Sequence, residues 1–268
     1  MTELYSVTKG EGVPVLFLHG FPLDHRSLLI FDSVFAADGC WKRIYLDLPG
    51  MGQSRDMPDV DGAETVLHAI KQFVDETIGD SAFVLVGYSF GAMLARAIAT
   101  EYSRQVIGMF LLCPEIIVDM GKRALPKATV LCEDKAFMKT ISTGDRRAYQ
   151  HTAVIRNEQN WKLFEQHILP GLQSFNPEAV KQIDSNGSIS LQSSDMSSDV
   201  PTLILTARQD NMVGYEDALT ILSLYPRSTF AIIDAAGHTL HLDQQELVVS
   251  MASEWATRVR YTYPEKFI

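Results

Sequence analysis

The chain has 268 residues, 46% apolar and 21% charged, a globular mixture rather than a disordered or fibrous one. Lys and Arg number 23 against 33 Asp and Glu, and the net charge of −10 argues against nucleic acid and against an anionic membrane surface as partners. No apolar run approaches the roughly 18 residues of a membrane span, and the opening Met1-Thr2-Glu3-Leu4-Tyr5-Ser6 lacks the basic and apolar regions of a secretory signal. Cys40, Cys113 and Cys132 form no C-x-x-C and cannot all pair with one another, so a reduced, cytoplasmic protein is expected.

Taken in chain order, Glu3–Thr8 reads as a short antiparallel edge strand, closed by Gly10-Glu11-Gly12. Apolar, β-rich runs then recur at Val13–Leu18, Arg43–Leu48, Phe83–Tyr88, Val106–Leu112, Thr202–Ala207 and Thr229–Asp234. Most are continuous rather than alternating, as strands buried on both faces of a parallel sheet are. Helical patterns separate them at Ala63–Ile78, Gly91–Tyr102, Tyr215–Tyr225 and Leu242–Arg258. The alternation predicts an α/β fold with a doubly wound, mostly parallel sheet.

Residues 115–198 break the alternation. Helix-like segments at Glu133–Ile141, Asn157–Leu169 and Pro177–Ile183 appear there with no convincing buried strand, and the polar run Gln192–Ser198 reads as a linker. We therefore expect a core of residues 1–114 and 199–268 carrying a helical cap at 115–198. The cap holds 10 basic and 10 acidic residues and the core 13 and 23, so the negative charge lies in the core. The aromatic tail Tyr261–Ile268 is expected to dock on the core or on a second subunit of a homodimer.

The feature that carries chemistry is Gly87-Tyr88-Ser89-Phe90-Gly91, a Gly-x-Ser-x-Gly between an apolar strand and a good helix former. A serine on such a sharp turn is exposed above the sheet, and small neighbours let strand and helix approach closely. The hydroxyl needs a base. His238, on the loop leaving the strand Phe230–Asp234, is the candidate, with His241 as the decoy. A carboxylate at another strand end should orient the imidazole. Asp210, after Thr202–Ala207, is the choice and Glu115 the competitor. The turn His19-Gly20-Phe21-Pro22 supplies an oxyanion hole from the Phe21 amide, with Phe90 giving the second donor. Candidate substrate contacts are His19, Phe137 and Trp161. Met138, Tyr149 and Phe164 are further candidates for a pocket lining, or else only pack the cap's helices. Cys113 reads as a small buried apolar residue.

These motifs resemble the α/β-hydrolase superfamily of serine hydrolases over nearly the whole chain. His19-Gly20-Phe21-Pro22 is similar to its oxyanion loop, Asp47-Leu48-Pro49-Gly50-Met51-Gly52-Gln53-Ser54 to its D-x-P-G-x-G-x-S loop, and Gly87–Gly91 to its nucleophile elbow. Asp210-Asn211-Met212-Val213 resembles the acid loop and Gly237-His238 the base loop. The H-G-x-P wording is frequent in epoxide hydrolases and haloalkane dehalogenases, but those relatives carry aspartate where this chain has Ser89. The resemblance implies a serine hydrolase cleaving an ester of a small molecule through an acyl-enzyme, with no metal and no cofactor. The near-neutral cap favours a neutral substrate. A C–C bond hydrolase, lactonase, proline-releasing aminopeptidase or cofactor-free haloperoxidase would share the motifs, as would a ligand receptor on the same fold.

Overall fold

The computed structural model describes residues 4–191 and 195–267. The apolar runs become β1 (Ser6–Lys9), β2 (Val13–Leu18), β3 (Trp41–Leu46), β4 (Phe83–Tyr88), β5 (Val106–Leu112), β8 (Thr202–Ala207) and β9 (Ser228–Ile233), leaving two short strands, β6 (Cys132–Glu133) and β7 (Ile155–Arg156), to pair apart from them. The large sheet runs β1-β3-β2-β4-β5-β8-β9, parallel throughout except where β1 pairs antiparallel with β3. Alternate residues sort onto its two faces. Val15, Phe17, Val84 and Val86 join one buried cluster, while Leu16, Leu18, Phe83 and Leu85 join the other.

Helices cover both faces. In chain order they are α1 (Asp32–Ala36), α2 (Ala63–Thr77), α3 (Phe90–Glu101), α4 (Lys135–Met138), α5 (Thr143–Thr152), α6 (Glu158–His167), α7 (Leu169–Leu172), α8 (Pro177–Ser185), α9 (Glu216–Leu219), α10 (Leu240–Asp243) and α11 (Gln245–Thr262). Helix α2 buries Val66, Ile70 and Val74 against the face that also receives Leu94 and Ile98 of α3. The opposite face receives Trp255 and Val259 of α11, whose side chains lie where a Cβ at Gly108 of β5 would be, 2.7 Å from Val259 Cγ2. Trp255 Nε1 also donates to the Pro201 carbonyl at 2.9 Å, fixing α11 to the start of β8.

Three expectations are altered. Tyr215–Tyr225 does not form one helix. The Thr220 hydroxyl donates back to Asp217 O at 2.6 Å and ends α9, and a single 3₁₀ turn at Leu222–Leu224 follows. The helix expected at Leu242–Arg258 divides at Gln244, whose Nε2 turns away to donate to Ala235 O at 3.0 Å. Helix α5 was not foreseen, because it is polar and buries only Tyr149. Its signal was the cap Ser142-Thr-Gly-Asp145, where Ser142 Oγ accepts from the Asp145 amide at 3.2 Å.

Phe267 of the tail docks on the core, its ring 4.7 Å from that of Trp41. Of the expected linker, residues 192–194 lie outside the described residues, and Ser198 is tied to Leu224 O at 3.0 Å. Among the described residues no helix is long and apolar enough to cross a membrane.

Candidate active site

The glycines of Gly87-Tyr88-Ser89-Phe90-Gly91 force the local geometry. A Cβ at Gly87 would sit 2.6 Å from Ala92 Cα, and one at Gly91 only 2.1 Å from Leu18 O, so neither position admits a side chain. The chain therefore turns directly from β4 into α3 at Ser89, which adopts φ 55° and ψ −116°. Such a backbone is costly for a residue with a side chain. The Ser89 amide is held by Leu112 O at 2.9 Å.

Three strand ends converge above the sheet. Ser89 Oγ lies 2.9 Å from His238 Nε2, and His238 Nδ1 lies 2.8 Å from Asp210 Oδ2. A carboxylate only accepts, so the Nδ1 proton points at Asp210 and Nε2 is left to accept from the serine hydroxyl. The other Asp210 oxygen takes the amides of Met212 at 2.9 Å and Val213 at 3.1 Å. Burial pushes the Asp210 carboxyl up, but the His238 imidazole and these amides outweigh it and hold the group below its usual range. Glu115, the competing carboxylate, instead pairs with Arg123 at 3.2 Å.

Neighbours hold this arrangement from below and from the side. Tyr88 is fully buried and donates its hydroxyl to His238 O at 3.0 Å. Burial, and after it Asp210, pushes the Cys113 thiol well above its ordinary value, so it stays protonated beside that carboxylate. His241, three residues from His238, is fully buried against Tyr88 and Phe31, and burial pushes its imidazole down to about 3.

The turn after β2 presses on the serine. A Cβ at Gly20 would lie 2.9 Å from the Tyr88 ring and 3.3 Å from Ser89 Cβ, so only glycine lets this loop come so near. Gly20 O accepts from the Leu23 amide at 2.9 Å, which closes the turn carrying Phe21. Phe90 opens α3, where the first amides have no acceptor within the helix. The two segments meet through the Phe21 and Phe90 rings, 5.9 Å apart.

A cavity of about 720 Å³ opens over Ser89 and His238. Its floor is the loops leaving the C-terminal ends of β2, β4, β5, β8 and β9, and its roof comes from α5, α6, α7 and the end of α8. Phe21, Leu23, Phe164, Ile168 and Leu172 make much of its wall apolar.

The candidate substrate contacts need correction. His19 is wholly buried and spent on backbone: its Nδ1 donates to Gly20 O at 2.8 Å and its Nε2 accepts from the Leu48 amide at 2.9 Å. It positions the turn instead of reaching the cavity. Trp161 packs on Tyr149 and Phe164, with ring centroids 5.3 and 5.7 Å away, and stands behind the wall. Phe137 likewise packs on the core cluster outside the lining, as do Met138 and Tyr149. Phe164 alone of those aromatics reaches the cavity.

Among the described residues, two groups have the donor chemistry to hold a metal: Cys113 with Asp210 and His238, and Asp24 with His25 and Asp47. Both sets are committed internally. Asp47 takes the His25 ring at 2.7 Å and the Gln53 amide at 2.8 Å, while Asp24 pairs with Arg26.

One residue that sequence reasoning missed ties the base loop to the roof. Asp243 accepts from the Gly237 amide at 2.9 Å and from Asn160 Nδ2 of α6 at 2.6 Å. Burial pushes its carboxyl up to about 6 from 3.8. A carboxyl whose folded value is raised binds its proton more tightly in the folded chain, so its contribution to stability falls as pH rises from about 4 to 6. That fall is up to about 3 kcal/mol. Asp243→Asn should flatten this part of the profile. Urea midpoints of both proteins between pH 4 and 7 check it, and parallel curves would refute the assignment.

With the geometry in place, the comparisons assign the class. The Alpha/beta hydrolase family matches residues 15–251, and the chain belongs to that family. It is similar to an α/β superfamily hydrolase from Oenococcus oeni, 29% identical with a TM-score of 0.88, covering 97% of this chain and 100% of that one. It is 23% identical to the AB hydrolase superfamily protein YisY of Bacillus subtilis over 92% of each chain. A 2-hydroxymuconate semialdehyde hydrolase of Pseudomonas putida is 24% identical over 89% of this chain and 85% of the relative.

Proposed function

We propose that the chain is a serine hydrolase that cleaves an ester of a small molecule through an acyl-enzyme. The observation that carries this reading is the unbroken series Ser89 Oγ, His238 and Asp210, at 2.9 and 2.8 Å, opening into the cavity. His238 Nε2 takes the serine proton as Oγ attacks the substrate carbonyl carbon. Asp210 keeps the Nδ1 proton in place and stabilises the imidazolium. The amides of Phe21 and Phe90 receive the oxyanion. The alcohol then leaves with the proton from His238, and water deprotonated by His238 releases the acid.

In this reading residues 115–198 are a cap that selects the substrate, since α5, α6, α7 and the end of α8 supply the roof. The unpaired Cys40, Cys113 and Cys132 suit a reducing cytoplasm.

The test is turnover of p-nitrophenyl esters from acetate to long acyl chains, with mass spectrometry of the protein quenched during turnover. A chain-length optimum and an acyl adduct on Ser89 are expected. Absence of ester turnover across the series, with the protein folded, would overturn the reading. It would turn attention to the carbon–carbon, lactone and peptide bonds that the same machinery can cleave.

A further inference from the structure

We infer that the ester cleaved carries a free carboxylate at some distance from the scissile bond, and that Arg147 on the roof binds it. The inference rests on the ester reading above and concerns the part of the cavity lining that α5 supplies.

Helix α5 presents one face to the cavity. Gly144, Arg147, Ala148 and His151, at i, i+3, i+4 and i+7, all line it. Two arginines reach the lining, and they differ in what they already hold. Arg123 is 8% exposed in its side chain and is committed to Glu115 at 3.2 Å and to the carbonyls of Ile117, Met212 and Val118 at 2.7, 2.8 and 3.1 Å. Its charge is neutralised and its donors are engaged. The Arg147 side chain makes no ion pair and no hydrogen bond among the described residues. A guanidinium on a cavity wall with its whole fork of donors free matches a carboxylate better than any neutral group.

The acidic side chains of the lining do not cancel it. Glu115 is paired with Arg123, and Asp184, on α8, makes no ion pair with Arg147. The lining thus holds a neutralised pair after β5 and, on α5, a guanidinium with no ion-pair partner. This revises the neutral substrate expected from the balance of 10 basic and 10 acidic residues in 115–198. That balance averages over side chains facing outward, whereas a bound molecule meets only the lining. A half ester of a dicarboxylic acid matches both groups, with its ester carbonyl at Ser89 and its carboxylate at Arg147.

The experiment uses monomethyl esters of straight-chain dicarboxylic acids, from succinate to suberate, each paired with the methyl ester of the alkanoic acid of equal length. Acid release is followed by titration. Wild type should show, at one or more chain lengths, a kcat/KM about tenfold higher for the half ester, expressed mainly in KM. Arg147→Gln should reduce that ratio to near one, and Arg147→Glu should invert it. Gln and Glu are good helix formers at an exposed position, so both variants should fold, and circular dichroism checks this. The inference is overturned if wild type prefers the neutral partner at every length, or if the preference survives in Arg147→Gln. Hydrolysis of neutral esters alone leaves the ester reading standing and removes this one. Turnover of neither series removes both.

Discussion

Replacing Ser89 by alanine should lower kcat on any hydrolysed ester by about 10⁶ while leaving the fold in place. The hydroxyl makes its hydrogen bond to His238 at the edge of the cavity, so its loss orphans no deeply buried group that water cannot reach. The backbone that strains residue 89 is imposed by Gly87, Gly91 and the Leu112 carbonyl, not by the side chain, and alanine meets the same constraints. Residual activity should approach what the oxyanion donors and binding alone provide. Turnover within tenfold of wild type, with an unchanged melting temperature, would remove Ser89 from the chemistry.

The second large effect belongs to Asp210→Asn, and its direction follows from the two oxygens of Asp210. One is fixed by the Met212 and Val213 amides, which only donate, so the carbonyl oxygen of an asparagine must remain there. Its NH₂ group then faces His238 Nδ1, where a carboxylate had accepted. Facing a donor, Nδ1 must give up its proton, and Nε2 carries it instead. The imidazole is then in the tautomer that cannot accept from Ser89. Such an error costs about 10⁴ in kcat. The expected variant binds substrate with little change in KM and turns over slowly. If Glu115→Gln proves the more damaging substitution, the acid is misassigned, and the Arg123 pair that engages Glu115 must open during turnover.

What was legible in the sequence follows from where physical constraint is local. The runs Val13–Leu18, Phe83–Tyr88, Val106–Leu112 and Thr202–Ala207 end as strands where they were read, because strands buried on both faces need uninterrupted apolar residues. The run beginning at Arg43 slid. The strand starts at Trp41 and stops at Leu46, because the Asp47 carboxylate is drawn off to His25 and Gln53. That Ser89, Asp210 and His238 come together was readable for a related reason. Each sits one to five residues past an apolar run, and parallel strands bring their C-terminal ends to one edge.

The cavity wall was not readable in the same way. Which side of a helix faces inward depends on how it lies on its neighbours, and Trp161 and Phe164, three residues apart, end on opposite sides of that question. The polarity of α5 hid it from any search for buried faces, yet a helix that lines an open cavity needs no apolar stripe on that side. Asp243 escaped notice because its partners, Gly237 and Asn160, lie in different parts of the sequence.

The adjacency of β5 and β8 has an evolutionary consequence. Met109 pairs with Thr202 and Leu112 with Leu205, so the sheet closes across the gap between them whatever the chain does in between. Ser89 and the turn at Phe21 precede that gap, and Asp210 and His238 follow it. Lengthening, shortening or exchanging the intervening stretch would leave Ser89, His238 and Asp210 in register. Descendants of such a gene can therefore change the roof while inheriting the Ser89, His238 and Asp210 series intact, with Asp243 and Asn160 as one junction a replacement roof would have to satisfy again.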